Sequence, residues 1–189
     1  MTIYALSTGS GISGIAVIRV SGKNTAEVVK KLTGAKLPPP RMATLKKFNK
    51  NGGKETIDEG VIIWFPAPNS YTGEDLAEFH VHGSRAVIKA MHLAISKVKN
   101  CRLAEPGEFT KLAFQNGRIN LLKAESIADL ISAETEIQRK QALKIMNGKS
   151  SSGKSILASI CDKVLRSFSL HKLNLSEDLP LIIFRACFL

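Results

Sequence analysis

The sequence predicts an α+β domain continued by a helical one, and three observations carry that reading. Apolar, β-branched runs bounded by glycine or proline, such as Gly14–Gly22 and Gly60–Pro66, alternate with segments of helical periodicity up to about residue 118. From Asn120 onward apolar residues recur only at helical spacing, with no proline before Pro180. The 189 residues are 44% hydrophobic, 23% charged and 6% aromatic, a globular composition that excludes wholesale disorder, collagen-like repeats and a coiled-coil rod. The expected domains are therefore 1–118 and 119–189.

The first strand is Gly14–Gly22, buried along most of its length but interrupted by Arg19. Ala26, Val28, Val29 and Leu32 then predict a helix from Thr25, stopped by Gly34 and Pro38–Pro40. Two short strands are expected within residues 41–59, around the turn signal Asn51–Gly53. A separate apolar strand follows at Gly60–Pro66. After the turn formers of Asn69–Asp75, the stretch Leu76–Gly83 alternates: Leu76, Glu78, His80 and His82 share one strand face, and Ala77, Phe79 and Val81 the other. Ser84 caps a helix through about Val98, and Ala104–Phe109 turns into a short helix ending at Asn116-Gly117. One long helix is expected from Asn120 to Met146, stopped at Asn147-Gly148, and another over Ile156–Phe168.

Lys and Arg number 27 against 16 Asp and Glu, a net charge of +11 that attracts polyanions. Residues 1–118 hold 17 of the basic and 9 of the acidic side chains, so most of the positive field belongs to the first domain. Cys101, Cys161 and Cys187 are widely spaced and odd in number, which fits reduced thiols. No run approaches the roughly 20 apolar residues of a membrane span, and Met1–Tyr4 opens no secretory signal, so the expected location is the cytoplasm without membrane attachment.

Gly148–Ser155 satisfies G-x-x-x-x-G-K-[ST] letter for letter. A phosphate-cradling loop must leave a strand and open a helix, whereas Glu134–Met146 upstream reads as helical, so a small nucleotide-binding protein using this loop is kept as the alternative function. Arg19 and Glu78 are charges within apolar strands. They pair with each other, or both face a ligand that offers an anionic group and an N–H edge. His80 and His82, at i and i+2 without a third ligand, read as core or rim histidines rather than metal ligands. Arg118 follows a tight turn at the domain boundary, where a cation either reaches across a groove or is a solvated loop residue.

Six blocks carry a resemblance. They are Gly14–Gly22, Trp64–Asp75, His82-Gly83, Ala104–Thr110, Ala113–Arg118 and Leu122–Ile131, in an order and spacing similar to the N-terminal part of the MnmE (TrmE) family of tRNA-modification GTPases across residues 3 to about 148. The resemblance implies a mixed-sheet, folate-binding and dimerising domain, similar to the tetrahydrofolate-binding domain of glycine-cleavage T-proteins, followed by a helical domain that is incomplete here. It implies a tetrahydrofolate derivative, 5-formyl- or 5,10-methylene-, held by Arg19, Glu78 and Arg118. The implied partners are a second copy, an MnmG-type flavoprotein and tRNA, whose wobble uridine the family modifies. No catalytic residue and no metal ligand is assigned to this chain.

The sequence departs from the family pattern in three places. Ser7–Gly14 lacks the usual Pro-Pro/Ala-Gly-x-Gly wording, and Asn120 stands where an aspartate is usual. Beyond Gly148 the likeness fades, and the 189 residues contain neither a GTPase domain nor an Asn-Lys-x-Asp guanine motif, so a truncated or split product is expected.

Overall fold

The computed structural model describes residues 1–9, 11–50 and 55–148. The chain divides into two compact units, Met1–Glu105 and Pro106–Leu189. In the first, β1 (Thr2–Leu6), β2 (Ser13–Ser21), α1 (Thr25–Thr33), β3 (Thr44–Lys50), β4 (Glu55–Phe65), β5 (Leu76–Gly83), α2 (Arg85–Ser96) and β6 (Cys101–Leu103) follow in order. The second holds α3 (Glu108–Gln115), α4 (Leu121–Ile131) and α5 (Glu136–Met146). The Gly148–Ser155 motif beyond its first residue, the Ile156–Phe168 helix and the Asn51–Gly53 turn lie outside the described residues.

The six strands form one mixed sheet in the order β3-β4-β5-β2-β1-β6. The β1–β6 pair is parallel and the other four are antiparallel. The expected α+β architecture with a mixed sheet is therefore what the chain forms. Alternation sorts the strands into two faces. Ala16, Ile18 and Val20 of β2, Ile62 and Trp64 of β4, and Ala77, Phe79 and Val81 of β5 are buried in one core with Val28, Val29 and Leu32 of α1 and Met91 and Ile95 of α2. Phe48 and Phe79 meet edge to face there, their centroids 5.4 Å apart. Burying one such side chain stabilises the fold by about 1.5–3 kcal/mol. The helices thus cover one sheet face, and the residues between these, Val17, Arg19, Val61, Ile63, Glu78 and His80, are only half-buried on the other.

Two expectations are corrected, and two strands go beyond them. The strand at Gly60–Pro66 is not separate, because β4 runs unbroken for 11 residues through Gly60. A Cβ at Gly60 would lie 2.1 Å from the His80 carbonyl oxygen, so the glycine allows close approach of β4 to β5 instead of ending a strand. The single helix over Asn120–Met146 is two helices. The Thr135 hydroxyl accepts from the Gln138 backbone N–H at 3.3 Å and the Gln138 side chain accepts from the Thr135 N–H at 2.9 Å, a capping box that starts α5 afresh. Strands β1 and β6 were not anticipated: β6 has three residues, too few to display a period, and β1 sits at the chain start with no polar alternation.

Asn120 caps α4, its side chain accepting the Lys123 N–H at 2.9 Å. Asparagine and aspartate serve that position about equally, so this departure from the family pattern leaves the helix start intact.

Gly60→Ala is expected to lower stability by about 1–3 kcal/mol through overpacking against the β5 backbone. Gly14→Ala in β2, where a Cβ would have nothing within 4 Å, should stay within about 0.5 kcal/mol. Urea-unfolding midpoints of the two variants check this.

Candidate functional site

β2 and β5 pair antiparallel with Arg19 directly opposite Glu78, and on the other side of β5 Glu78 stands opposite Ile63 of β4. Two charged side chains in neighbouring strands at one register position must meet. Arg19 donates to Glu78 Oε1 through both Nε, at 3.0 Å, and Nη2, at 2.7 Å. Both donors converge on one oxygen, unlike the parallel fork in which a guanidinium saturates a carboxylate. Glu78 Oε2 is left with the His80 Nε2 at 3.8 Å, beyond hydrogen-bond distance. That Nε2 is itself buried and has no hydrogen-bond partner. The side chains of Arg19 and Glu78 remain 27% and 18% exposed, so the pair is reachable from solvent.

The loop between β4 and β5 brings an aromatic ring to the same place. The Arg19 guanidinium carbon lies 5.5 Å from the centroid of Tyr71, within the range of a cation–π contact. Local hydrogen bonds hold that loop. Asp75 Oδ1 accepts the Ala67 N–H at 2.9 Å, Ser70 Oγ donates to the Glu74 carbonyl and accepts the Gly73 N–H at 3.0 Å, and Gly73 turns with φ 82°. The loop is tied to the end of β2 by the Ser21–Thr72 hydroxyl pair at 2.7 Å and by the Gly22 N–H on the Asp75 carbonyl at 2.9 Å. Ser70, Gly73 and Asp75 each serve one of these turns, and together they hold the loop's single ring in place.

His82 is a rim histidine. Its backbone N–H and its Nδ1 both reach Asp58, at 2.8 Å each. Burial opposes ionisation of Asp58, but the His82 backbone and ring contacts and the Glu59 N–H outweigh it and hold the carboxyl below its ordinary value. No group of three or more His, Cys, Asp or Glu side chains that could hold a metal occurs among the described residues.

Of the three residues singled out from the sequence, the structure brings Arg19 and Glu78 into contact. Arg118 belongs to the second unit, exposed, immediately after Gly117 at φ 66°, with its N–H on the Ala113 carbonyl at 2.8 Å. Sequence reasoning overlooked Tyr71 and Asp58. The available signal for Tyr71 was a lone aromatic among turn formers; Asp58 offered none, because its partner is 24 residues away.

The family described as "GTP-binding protein TrmE N-terminus" matches residues 2–118 of this chain. A "tRNA modification GTPase MnmE" of Pelagibacter ubique (strain HTCC1062) is 67% identical over 180 residues, which covers 95% of this chain and 41% of that protein. A protein of the same name from Parvibaculum lavamentivorans is 51% identical over 147 residues, 78% of this chain and 34% of its own. A mitochondrial "5-taurinomethyluridine-[tRNA] synthase subunit GTPB3" of Danio rerio is 50% identical over 147 residues, 78% of this chain and 29% of its own. The chain thus spans less than half the length of these relatives.

The depressed Asp58 value has a defined sign. A carboxyl whose folded pKa lies below its unfolded value, here below 3.8, contributes stability that is fully present above the unfolded value and is lost as pH falls through the folded one. Asp58→Asn should therefore flatten the acid limb of stability against pH. Urea midpoints measured between neutral pH and the acid transition test this, and an acid limb as steep as that of the parent chain would remove the assignment.

Proposed function

The chain belongs to the TrmE N-terminus family, and from that premise we propose that it serves as the tetrahydrofolate-binding, dimerising module of a tRNA wobble-uridine modification system. The observation that carries the reading is the Arg19–Glu78 pair with one carboxylate oxygen uncommitted. A pterin presents a donor-rich edge, for which Glu78 Oε2 is a charged acceptor, and the glutamate tail of a folate is anionic, which suits guanidinium groups. Tyr71 lends a ring face beside Arg19. Arg118 belongs to the second unit and is proposed as a folate-binding residue on the strength of the resemblance alone. The ligand class is a 5-formyl- or 5,10-methylene-tetrahydrofolate. When bound it would supply a one-carbon unit; the residues of this chain bind and orient it, and none is assigned a catalytic step.

A second copy, an MnmG-type flavoprotein and tRNA are the proposed partners, and the cytoplasm is the proposed location. No helix among the described residues is long and apolar enough to cross a membrane. Dimerisation draws support from the sheet face that α1 and α2 do not cover. Leu45, Val61, His80 and Val17 stand in one register row across β3, β4, β5 and β2, and Leu45 is 65% exposed. Exposed apolar surface on a sheet face is the kind of patch a protein partner buries.

Parallel calorimetric titrations with 5-formyl-tetrahydrofolate and with GTP test the ligand. Saturable folate binding is expected, weakened in Glu78→Ala by about 1–3 kcal/mol because the pterin donors lose their acceptor. Binding of GTP without folate, or a Glu78→Ala affinity within about twofold of the parent, would refute it. Light scattering tests the dimer: the full chain should be dimeric at about 10 µM and Leu45→Glu should shift it toward monomer. A monomeric parent chain at that concentration contradicts the dimer.

A further inference from the structure

A recess lies on the side of the sheet opposite the Arg19–Glu78 pair. Leu6, Gly11, Arg85, Ile88, Lys89 and His92, all of the first unit, line a hollow of about 460 Å³. Leu6 stands opposite Ile18 in register, so it projects to the helix-covered face, whereas Arg19, next along β2, projects to the other. The hollow is therefore distinct from the Arg19–Glu78 site.

Its lining has a definite chemistry. Arg85, Ile88, Lys89 and His92 fall at i, i+3, i+4 and i+7, one stripe of α2. Arg85 is the first residue of that helix and no acidic residue occupies its first turn, so a cation sits against the positive end of the helix dipole. That placement is unfavourable alone and reverses sign when an anion binds. Both cations are exposed and free to reach a ligand at the rim. Deeper in, Leu6 and Ile88 are apolar, and His92 Nε2 is buried with no hydrogen-bond partner. Its ring meets Tyr4 edge to face at 5.5 Å, and burial keeps the imidazole below its ordinary value, hence neutral near pH 7 with one donor and one acceptor nitrogen.

We propose that this hollow binds a nucleotide, its phosphate held by Arg85 and Lys89 and its base lying against Leu6 and Ile88 with an edge toward His92. Two cations one helical turn apart suit a multiply charged phosphate better than a single carboxylate. The apolar walls call for a planar ring, and the half-buried His92 ring gives it a polar neighbour. The volume falls within the range of small-ligand pockets. The nucleotide is free in solution or a unit of a single RNA strand, and the two sources share this chemistry. The inference stands independently of folate binding, which concerns the other sheet face.

The test is calorimetric titration of the full chain with uridine 5′-monophosphate, uridine and ribose 5-phosphate, with the His92 imidazole resonances followed by NMR. The expected result is saturable binding of the monophosphate, movement of the His92 resonances, and affinity lower by about tenfold or more in Arg85→Gln and Lys89→Gln but unchanged in Lys47→Gln, an exposed cation of β3. Uridine and ribose 5-phosphate should bind more weakly than the monophosphate. A uridine octanucleotide that binds more tightly than the monophosphate supports the site with an RNA strand as the source; equal affinity supports it with a free nucleotide. No saturable binding, equal binding of ribose 5-phosphate, or binding indifferent to the Arg85 and Lys89 variants would overturn the proposal.

Discussion

The antiparallel register of β2 with β5 is the constraint on which the rest of the site depends. It sets Arg19 opposite Glu78 on the sheet face that α1 and α2 leave uncovered. A slip of one residue would turn one of the two charges into the core beside Ile18, Val20 or Phe79 and strand its partner on the open face, where before they paired, and an unsatisfied buried ion is strongly disfavoured. The register is enforced from the buried side. Ile18 pairs with Phe79 and Val20 with Ala77, all fully buried, so the core that stabilises the fold also aims the two charges outward.

A salt bridge in this setting is weak evidence for stability, because desolvating two charges offsets most of their attraction. Its geometry fits recognition better. Both Arg19 donors converge on Oε1, Oε2 stays uncommitted, a ring is held beside the guanidinium by a loop fastened to β2, and the half-buried surroundings strengthen any contact made there. The two proposed sites therefore lie on opposite sides of the sheet. One presents an acid–cation pair with an apolar row, and the other has its core closed by helices except for the basic hollow along α2.

Much of this was legible in the sequence. Charges inside predicted strands singled out Arg19 and Glu78 before any pairing was known, because a strand interior has no inexpensive place for either. The alternation in Leu76–Gly83 gave β5 its two faces, and Ser84 and Gly34 marked helix ends by their capping chemistry. What escaped was non-local or too short. Nothing near Gly60 announces that β4 passes against the His80 carbonyl, so the residue reads as a break. Thr135 and Gln138 do spell a capping box, but continuous apolar spacing on both sides masked it. The Asp58–His82 contact and the perch of Tyr71 arise from tertiary proximity, which no local pattern encodes.

The most direct test of the central claim is a paired measurement of stability and of 5-formyl-tetrahydrofolate affinity in the double variant Arg19→Met/Glu78→Leu. If the pair exists for recognition, an apolar replacement of similar volume leaves the urea midpoint within about 1 kcal/mol of the parent, while affinity falls by about tenfold or more. A folded double variant that binds within about twofold of the parent would contradict the account. So would a loss of about 3 kcal/mol or more of stability, which would make the pair structural.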